Sequence, residues 1–342
     1  MYTLQLGAKF IWVLVWVDDC VITDNDTTLR NKFVSDLNRR FPLTDKGHLE
    51  WILGVKIARD RAKHILTMSQ ELYISDLVKR FGSLTSGLTK RFDSPADSTV
   101  RLSPEQSPTP GTTEYDSMAS YHNNYMSLVG AYLWLANVTR PEISYITSQL
   151  ARFVSCPGQV HYKAALRVLI YLESTSARIL RFAPNLKLGL QLYVDSDWGV
   201  KFSVSGAIVT YMGCAMYWFS KTQRSVSLSS TQAEYFAAMM LARDGIHLRD
   251  VLKELDLDKA GPLTIRSDNK GVIDLSFDPV AFKKTKHILR AAEFLRDLCL
   301  REFYALLYIA SGSNPADIFT KVLPLADFRA QIAILDNLSR VA

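Results

Sequence analysis

The chain has 342 residues, of which 48% are hydrophobic and 22% are charged, so it is long enough for two or three domains with buried cores. Lysine and arginine exceed aspartate and glutamate by 40 − 34 = 6, a mild excess that is compatible with a polyanionic partner and does not prove one. The four cysteines are scattered without metal-ligand spacing, which argues against a disulfide scaffold or a zinc site and favours a reducing compartment. The longest apolar run, residues 10–17, is too short to span a bilayer and leads into Asp18 instead of a cleavage site, so we expect no membrane partner.

The first 92 residues predict a mixed α/β unit, because β-branched apolar runs alternate with stretches of helical periodicity. An acidic pair, Asp18 and Asp19, lies at the junction of the first two strands. Gly54 lies within a later strand, where it would allow another backbone to approach closely. The predicted elements are strands at residues 11–17, 20–22 and 49–57 and helices at residues 27–41 and 70–81.

Composition changes after residue 92. Residues 94–114 are rich in serine, threonine and proline and can bury little surface, so we predict a linker or loosely attached loop over residues 93–118. Three amphipathic patterns punctuated by prolines then follow one another over residues 121–175. They predict a helical region over residues 119–186.

The last section predicts a mixed sheet covered by helices over residues 187–323, followed by a C-terminal helix or tail over residues 324–342. Three strand-like runs follow one another before helix and strand alternate. The predicted strands cover residues 188–194, 207–211, 215–219, 263–268 and 303–309. The predicted helices begin near Thr231, Gly271, Lys283 and Pro315.

The adjacent carboxylates of Asp18 and Asp19 interrupt an otherwise apolar run. One interpretation is a hairpin turn, in which an aspartate side chain accepts hydrogen bonds from the local backbone. The other is a divalent-cation site, because adjacent carboxylates repel one another unless a cation neutralises them. Nucleotidyl transfer uses such a site, where two metal ions stabilise the attacking and leaving oxygens.

Four further acids lie at strand ends and helix starts of the last section: Asp195, Glu234, Asp268 and Asp317. Each has a structural alternative. Asp195 fits a solvated strand end, Glu234 a capping box with Thr231, and Asp268 a helix cap, while Asp317 suits the positive end of a helix dipole. Together, their order on strand, helix, strand and helix favours phosphodiester hydrolysis with two magnesium ions, because Mg²⁺ prefers carboxylate oxygens.

Several ordered motifs resemble the Pol polyproteins of copia-type (pseudovirus) retrotransposons. The segment "VWVDDCVI" is similar to the acidic hairpin of their reverse transcriptases, and "GHLEWILGVKI" and "LTMSQELYISDLVKRFG" are similar to the segments that follow it. The segments "YMSLVGAYLWLANVTRPEISYITSQLARF" and "HYKAALRVLIYLESTS" resemble their thumb and connection helices. The surroundings of all four later acids resemble the family's ribonuclease H domain.

The resemblance implies an α/β (α+β) protein with a truncated reverse-transcriptase palm and the start of a thumb over residues 1–92. Thumb or connection helices and a ribonuclease H-like mixed five-stranded sheet follow. In this family a third metal-binding carboxylate lies well upstream of the acidic hairpin, whereas no acid precedes Ile11 here. Catalytic residues act as a unit, so we expect Asp18 and Asp19 to be a polymerase remnant and the chain alone to lack RNA-directed DNA polymerase activity.

For the ribonuclease H region, the resemblance implies hydrolysis of the RNA strand of an RNA–DNA hybrid with two Mg²⁺ ions, or Mn²⁺ in their place. By family analogy Asp195 bridges both ions, Glu234 and Asp268 hold one each, and Asp317 completes the second site. The segment "GVKFSVSG" after Asp195 is several residues shorter than in the family, which shortens the first hairpin beside the site.

Basic residues in the last section are candidates for contacts with the hybrid backbone, with a solvated helix face as the alternative. They are Lys221, Arg224, Lys283, Lys284, Lys286 and Arg290. The resemblance also implies other Pol or Gag products as partners, and a location in cytoplasmic virus-like particles or in the nucleus.

A second hypothesis is a catalytically inactive retroelement relic that at most binds nucleic acid or a partner protein. The complete set of four acids favours the enzyme, whereas the shortened hairpin and the missing fingers favour the relic. A transposase of related fold fits poorly, because such sites usually place their glutamate last and here it comes second.

Overall fold

The computed structural model describes residues 1–89, 91–199, 202–277 and 289–338. Its strands are β1 (Tyr2–Leu6), β2 (Lys9–Trp16), β3 (Asp19–Asp24), β4 (Trp51–Ile52), β5 (Val55–Asp60), β6 (Ile65–Ser69), β7 (Leu180–Phe182), β8 (Leu190–Asp197), β9 (Val204–Tyr211), β10 (Cys214–Thr222), β11 (Leu263–Ser267) and β12 (Tyr304–Tyr308). Its α-helices are α1 (Thr27–Arg40), α2 (Glu71–Phe81), α3 (Thr113–Val138), α4 (Ser144–Ala151), α5 (Gln159–Ser174), α6 (Ser230–Glu254), α7 (Lys270–Phe277), α8 (Leu289–Leu300) and α9 (Leu325–Asp336). None of the helices in these ranges is long and apolar enough to cross a membrane.

Two antiparallel sheets have the strand orders β1-β2-β3 and β4-β5-β6-β7. Their strands lie within the first 69 residues except β7, which follows α5 and pairs with β6. The predicted hairpin around the acidic pair is confirmed, since β2 pairs with β3 across a turn at Val17 and Asp18. The single strand predicted over residues 49–57 is wrong. It is a hairpin of β4 and β5 that turns at Leu53 and Gly54, both of which have positive φ. The sequence pattern did not reveal this turn, because apolar residues continue on both sides of it.

The segment predicted as a linker or loose loop is in fact attached to the helices that follow. Arg167 of α5 donates to the Ser94 carbonyl and pairs with Asp97 at 3.1 Å. The ring of His161 contacts the Ser103 carbonyl, and Ala96 is buried. The serine- and proline-rich composition did not reveal these contacts, because the partners lie about 60 to 70 residues further along the chain.

Three helices follow as predicted, although α3 starts at Thr113, inside the predicted linker. Their apolar faces form one buried cluster with α2. Tyr125 and Tyr132 of α3 donate hydrogen bonds to backbone carbonyls of α4 and α5, respectively. A buried ion pair joins Arg140 Nε to Glu142 Oε1 at 2.6 Å between α3 and α4.

The five-stranded sheet has the order β10-β9-β8-β11-β12, in which β8, β9 and β10 are antiparallel and β8, β11 and β12 are parallel. This is the predicted mixed sheet. One face packs against α6, α7 and α8, and the other face joins the cluster of α3, α4 and α5 through Tyr193, Ile208 and Trp218. Both faces are therefore covered, which explains why β8 and β9 are almost continuously buried.

Near the end of the chain one predicted helix is wrong, whereas a helix is present within residues 324–342 as predicted. The helix expected from Pro315 is a single 3₁₀ turn, Asp317–Phe319, and the last helix of the described residues is α9, which begins at Leu325. Pro324 immediately before α9 favours this late start, since proline suits a helix beginning. The helix predicted near Lys283 lies outside the described residues.

Candidate metal centre

Three of the four predicted acids converge at one edge of the five-stranded sheet. Asp195 lies on β8, and Asp268 directly follows β11, the parallel neighbour of β8. Parallel strands carry their carboxyl ends to the same edge, so the two carboxylates meet there. Glu234 lies at the start of α6, which packs across β8. One oxygen of each carboxylate lies within 4.8 Å of those of the other two.

The capping interpretation of Glu234 is wrong. Ser229, not Thr231, caps α6, since its side chain accepts the Gln232 N–H at 3.1 Å, and Gln232 reaches back to accept the Leu228 N–H. Glu234 instead accepts the backbone N–H of Ser196 on β8 at 3.0 Å through Oε1. Glutamate at this position therefore contributes to the sheet edge and not to the helix end.

Burial dominates the electrostatics of Asp195 and Glu234, which are only 5% and 4% exposed. Desolvation raises the pKa of Glu234 to about 9, and the neighbouring charges of Asp195 and Asp268 add to the rise. Desolvation also raises the pKa of Asp195 to about 6, although the Thr320 hydroxyl and Lys321 oppose it. These shifts indicate that the charge of Lys321 does not offset the desolvation and mutual repulsion of the buried carboxylates.

Asp317 is held separately at the same edge. It opens the 3₁₀ turn, and its Oδ1 pairs with Lys321 Nζ at 2.5 Å. Thr320, which precedes Lys321 in the sequence, donates its hydroxyl to Asp195 Oδ2 at 2.5 Å. Asn314 anchors the whole turn by donating to the Val194 carbonyl of β8. The turn thus lies against β8, but Asp317 is outside the cluster of three carboxylates.

Asp268 and its neighbours shape the end of β11. Asn269 accepts the Gly271 N–H through Oδ1 at 2.9 Å at the start of α7, and its own N–H is donated to Ser267 Oγ. The side chains of Ser267 and Asn269 therefore accept the backbone N–H groups of Asn269 and Gly271. Asp268 is half-buried and belongs to the carboxylate cluster.

The donor set fits a hard divalent cation. All three clustered ligands are carboxylates, the oxygen donors that Mg²⁺ and Mn²⁺ prefer. The second oxygen of Glu234, Oε2, is buried without a hydrogen-bond partner in the described residues. An orphaned buried carboxylate oxygen is costly unless a cation or a proton neutralises it.

Asp18 and Asp19 are both exposed, with Asp18 in the turn and Asp19 opening β3. Within the described parts of the chain, no third acidic, histidine or cysteine side chain forms a ligand cluster with them.

The candidate contacts with a nucleic-acid backbone are only partly described. Lys221 at the end of edge strand β10 and Arg224 in the following loop are exposed. Lys283, Lys284 and Lys286 lie outside the described residues. Arg290 lies in the first turn of α8, but its side chain is not among those described.

Sequence reasoning missed Thr320 and Lys321, which touch Asp195 and Asp317 respectively. A signal was present, because Lys321 follows Asp317 by four residues, the spacing of helical ion pairs. The contact between Thr320 and Asp195 joins residues 125 positions apart, so no local sequence pattern predicts it.

The chain is similar to known proteins along most of its length. The sequence profile of the reverse transcriptase (RNA-dependent DNA polymerase) family matches residues 1–92. The chain is 34% identical over 94% of its length to the Retrovirus-related Pol polyprotein from transposon TNT 1-94 of Nicotiana tabacum, and 31% identical over 96% to that from transposon RE1 of Arabidopsis thaliana. It spans only 24% and 22% of these relatives.

Among solved structures, the foamy viral protease-reverse transcriptase in complex with RNA/DNA hybrid covers 91% of this chain. The alignment spans 42% of that protein, with 12% identity and a TM-score of 0.38.

Proposed function

Because the chain belongs to the Pol polyproteins of copia-type retrotransposons, as a reverse transcriptase/ribonuclease H-like part of about a quarter of their length, we propose that it hydrolyses RNA in RNA–DNA hybrids. The reaction depends on two divalent cations, Mg²⁺ or Mn²⁺. Asp195, Glu234, Asp268 and Asp317 would hold them. The observation that supports this proposal is the convergence of Asp195, Glu234 and Asp268 within 4.8 Å around a buried, unpartnered glutamate oxygen.

When bound, the cations would supply a water that is nucleophilic at neutral pH and a stabilised leaving oxygen. The protein contributes position and charge. Asp195 is fixed on a central strand, and Thr320 orients its carboxylate by donating to Oδ2. Glu234 is fixed by the Ser196 N–H, which leaves Oε2 free to act as a ligand. The dry surroundings of both carboxylates strengthen their hold on a cation.

The substrate class rests on the family and on chemistry. An enzyme that cleaves only the RNA strand must distinguish RNA from DNA, and the 2′-hydroxyl is the group that differs. Lys221 and Arg224 are exposed and could contact phosphates without sequence preference. Other Pol or Gag products are further proposed partners, and virus-like particles or the nucleus the proposed location.

For the acidic hairpin we propose no polymerase function in this chain by itself. Asp18 and Asp19 are exposed and lack a third ligand among the described residues, and two carboxylates alone do not fix two cations. Purified chain should therefore give no primer extension on an RNA template. Measurable extension would contradict this part of the proposal.

The test of hydrolysis uses the full chain, because one face of the five-stranded sheet is covered by α3, α4 and α5. A labelled RNA–DNA hybrid is incubated with the protein and Mg²⁺, alongside Asp268→Asn as the inactive variant. The double variant Asp18→Asn/Asp19→Asn is the matched control, since it removes two carboxylates outside the cluster. We expect cleavage of the RNA strand by the wild type and the control, and a loss of 10²-fold or more, roughly, in Asp268→Asn.

Two controls define the reaction. The same label in duplex RNA or duplex DNA should stay intact, and EDTA should abolish cleavage of the hybrid. Cleavage that survives Asp268→Asn would indicate a contaminating nuclease. Absence of cleavage in the folded wild type would leave the relic hypothesis, in which the chain at most binds nucleic acid or a partner.

A further inference from the structure

Lys321 places a positive charge directly beside the carboxylate cluster. Its ammonium lies 2.5 Å from Asp317 Oδ1 and is half-buried. A lysine ammonium is ordinarily charged at neutral pH, and Lys321 has the carboxylate of Asp317 as its ion-pair partner. Lys321 therefore keeps its charge and acts as a cation at this edge of the sheet.

The four acids are not equivalent in this arrangement. Asp195, Glu234 and Asp268 form a complete three-carboxylate cluster without Asp317. Asp317 is already paired with Lys321 across a contact shorter than an ordinary ammonium–carboxylate hydrogen bond. A divalent cation that binds the three-carboxylate cluster meets no competitor there. One that binds Asp317 must displace the Lys321 ammonium or share the Asp317 carboxylate with it.

We propose that Lys321 is a positioning residue that occupies Asp317 as an internal counter-cation, so that the second divalent cation binds much more weakly than the first. This inference rests on the proposed two-cation function. An anionic phosphate brought to the site offers Lys321 an alternative partner, which frees Asp317 when substrate is present. Lys321 would thereby couple occupancy of the second site to substrate binding.

The magnitude follows from Coulomb's law at short distance. Two opposite unit charges in contact attract each other strongly even at the effective dielectric constant near a protein surface, although solvent screens part of this attraction. Removal of the Lys321 charge should therefore tighten the second cation by at least about tenfold. The first cation should change less, because the cluster is not in contact with the ammonium.

The experiment counts bound ions with Mn²⁺ as the probe, by the electron paramagnetic resonance signal of free Mn²⁺ and by calorimetry. The proteins are the full-length wild type, Lys321→Met, Lys321→Arg, and Lys79→Met as the matched control. Lys79 also pairs with an aspartate, Asp76, but on an exposed face of α2. We expect a tighter second ion only in Lys321→Met, with wild-type values in Lys321→Arg and Lys79→Met.

A double-mutant cycle separates this role from a general charge effect. In the background of Asp317→Asn, Lys321→Met should no longer change the second affinity, because the group that both cations compete for is gone. Equal second affinities in the wild type and Lys321→Met would overturn the inference, as would the same shift in Lys79→Met. Urea midpoints of every variant without cation show whether it is folded.

Failure of this inference can be told apart from failure of the proposed function. Cation binding is measured without substrate, so a chain that cleaves no hybrid can still show the Lys321 effect. Conversely, cleavage with two equally tight ions in the wild type would retain the hydrolase and refute the role of Lys321.

Discussion

Replacement of Glu234 by glutamine should stabilise the protein in the absence of divalent cation while removing its cation dependence. The glutamine keeps the shape of the side chain and the acceptor for the Ser196 N–H, which lies 3.0 Å from Oε1. It removes an ionisable carboxyl group that is 4% exposed and whose pKa burial raises from 4.5 to about 9. The variant thus measures how much the burial of the Glu234 carboxyl group lowers the free energy of unfolding.

The sign and size follow from proton linkage. Between pH 4.5 and about 9 the folded wild type binds a proton at Glu234 that the unfolded chain does not, so its stability falls as the pH rises through this window. At pH 7 the cost is roughly 3–4 kcal/mol, from roughly 1.4 kcal/mol for each of the 2.5 pH units above the unfolded value. Glu234→Gln should be more stable by up to that amount at pH 7, and the difference should disappear near pH 4.5.

The assay is equilibrium unfolding in urea with EDTA at several pH values, repeated with Mg²⁺ at pH 7. Glu254→Gln, an exposed position at the end of the same helix, is the matched control and should leave stability within about 0.5 kcal/mol. Added Mg²⁺ should stabilise the wild type and not Glu234→Gln. If Glu234→Gln is no more stable than the wild type in EDTA at pH 7, the charge is already compensated and the argument for a cation site fails.

Two further variants test the packing around the site. Gly206→Ala would place a Cβ 2.5 Å from Thr320 Cγ2, so it should lower the unfolding free energy by about 1–3 kcal/mol and weaken cation binding, measured by urea unfolding with and without Mg²⁺. Gly130→Ala in α3, where nothing lies within 4 Å, is its control and should stabilise by up to about 1 kcal/mol; equal effects of the two would refute the clash. Arg140→Met should cost about 3 kcal/mol at pH 7, because it leaves the fully buried carboxylate of Glu142 with the more distant Arg178, at 3.7 Å, as its remaining ion-pair partner. Although burial raises the pKa of Glu142, the charges of Arg140 and Arg178 outweigh it and lower the pKa below 4.5, so the deficit should be complete above pH 4.5 and shrink as the pH falls through the lower folded value. A deficit that does not change with pH would contradict this origin.

Elements whose cause is local could be predicted from the sequence. The β-branched runs of β2 and β3, the periodicity of α1 and α2, and the order of strands and helices in the last section all depend on neighbours within a few residues. The acids Asp195, Glu234 and Asp268 could be chosen because their residue type and order suit cation-dependent hydrolysis. Local pattern could not place the turn at Leu53 and Gly54, since an apolar run continues on both sides of it.

The tertiary structure decided what each acid does. Parallel pairing of β8 and β11 brings Asp195 and Asp268 to one edge, and the Ser229 cap fixes the start of α6 so that Glu234 faces β8. The sequence allowed capping roles that the folded chain assigns to Ser229 and Asn269 instead. The hydrogen bonds that hold the acids themselves join residues far apart in the chain: Ser196 and Glu234 are 38 positions apart, and Asp195 and Thr320 are 125 positions apart. Sequence periodicity therefore does not predict them.

The sequence alone therefore determined the family, the order of the elements and three acids that meet. Only the tertiary structure separated Asp317 from those three and paired it with Lys321. The physical reason is that residue type reports what a side chain is able to bind, whereas its charge state and its partner depend on burial and on distant segments. These become defined only when the sheet edge is assembled.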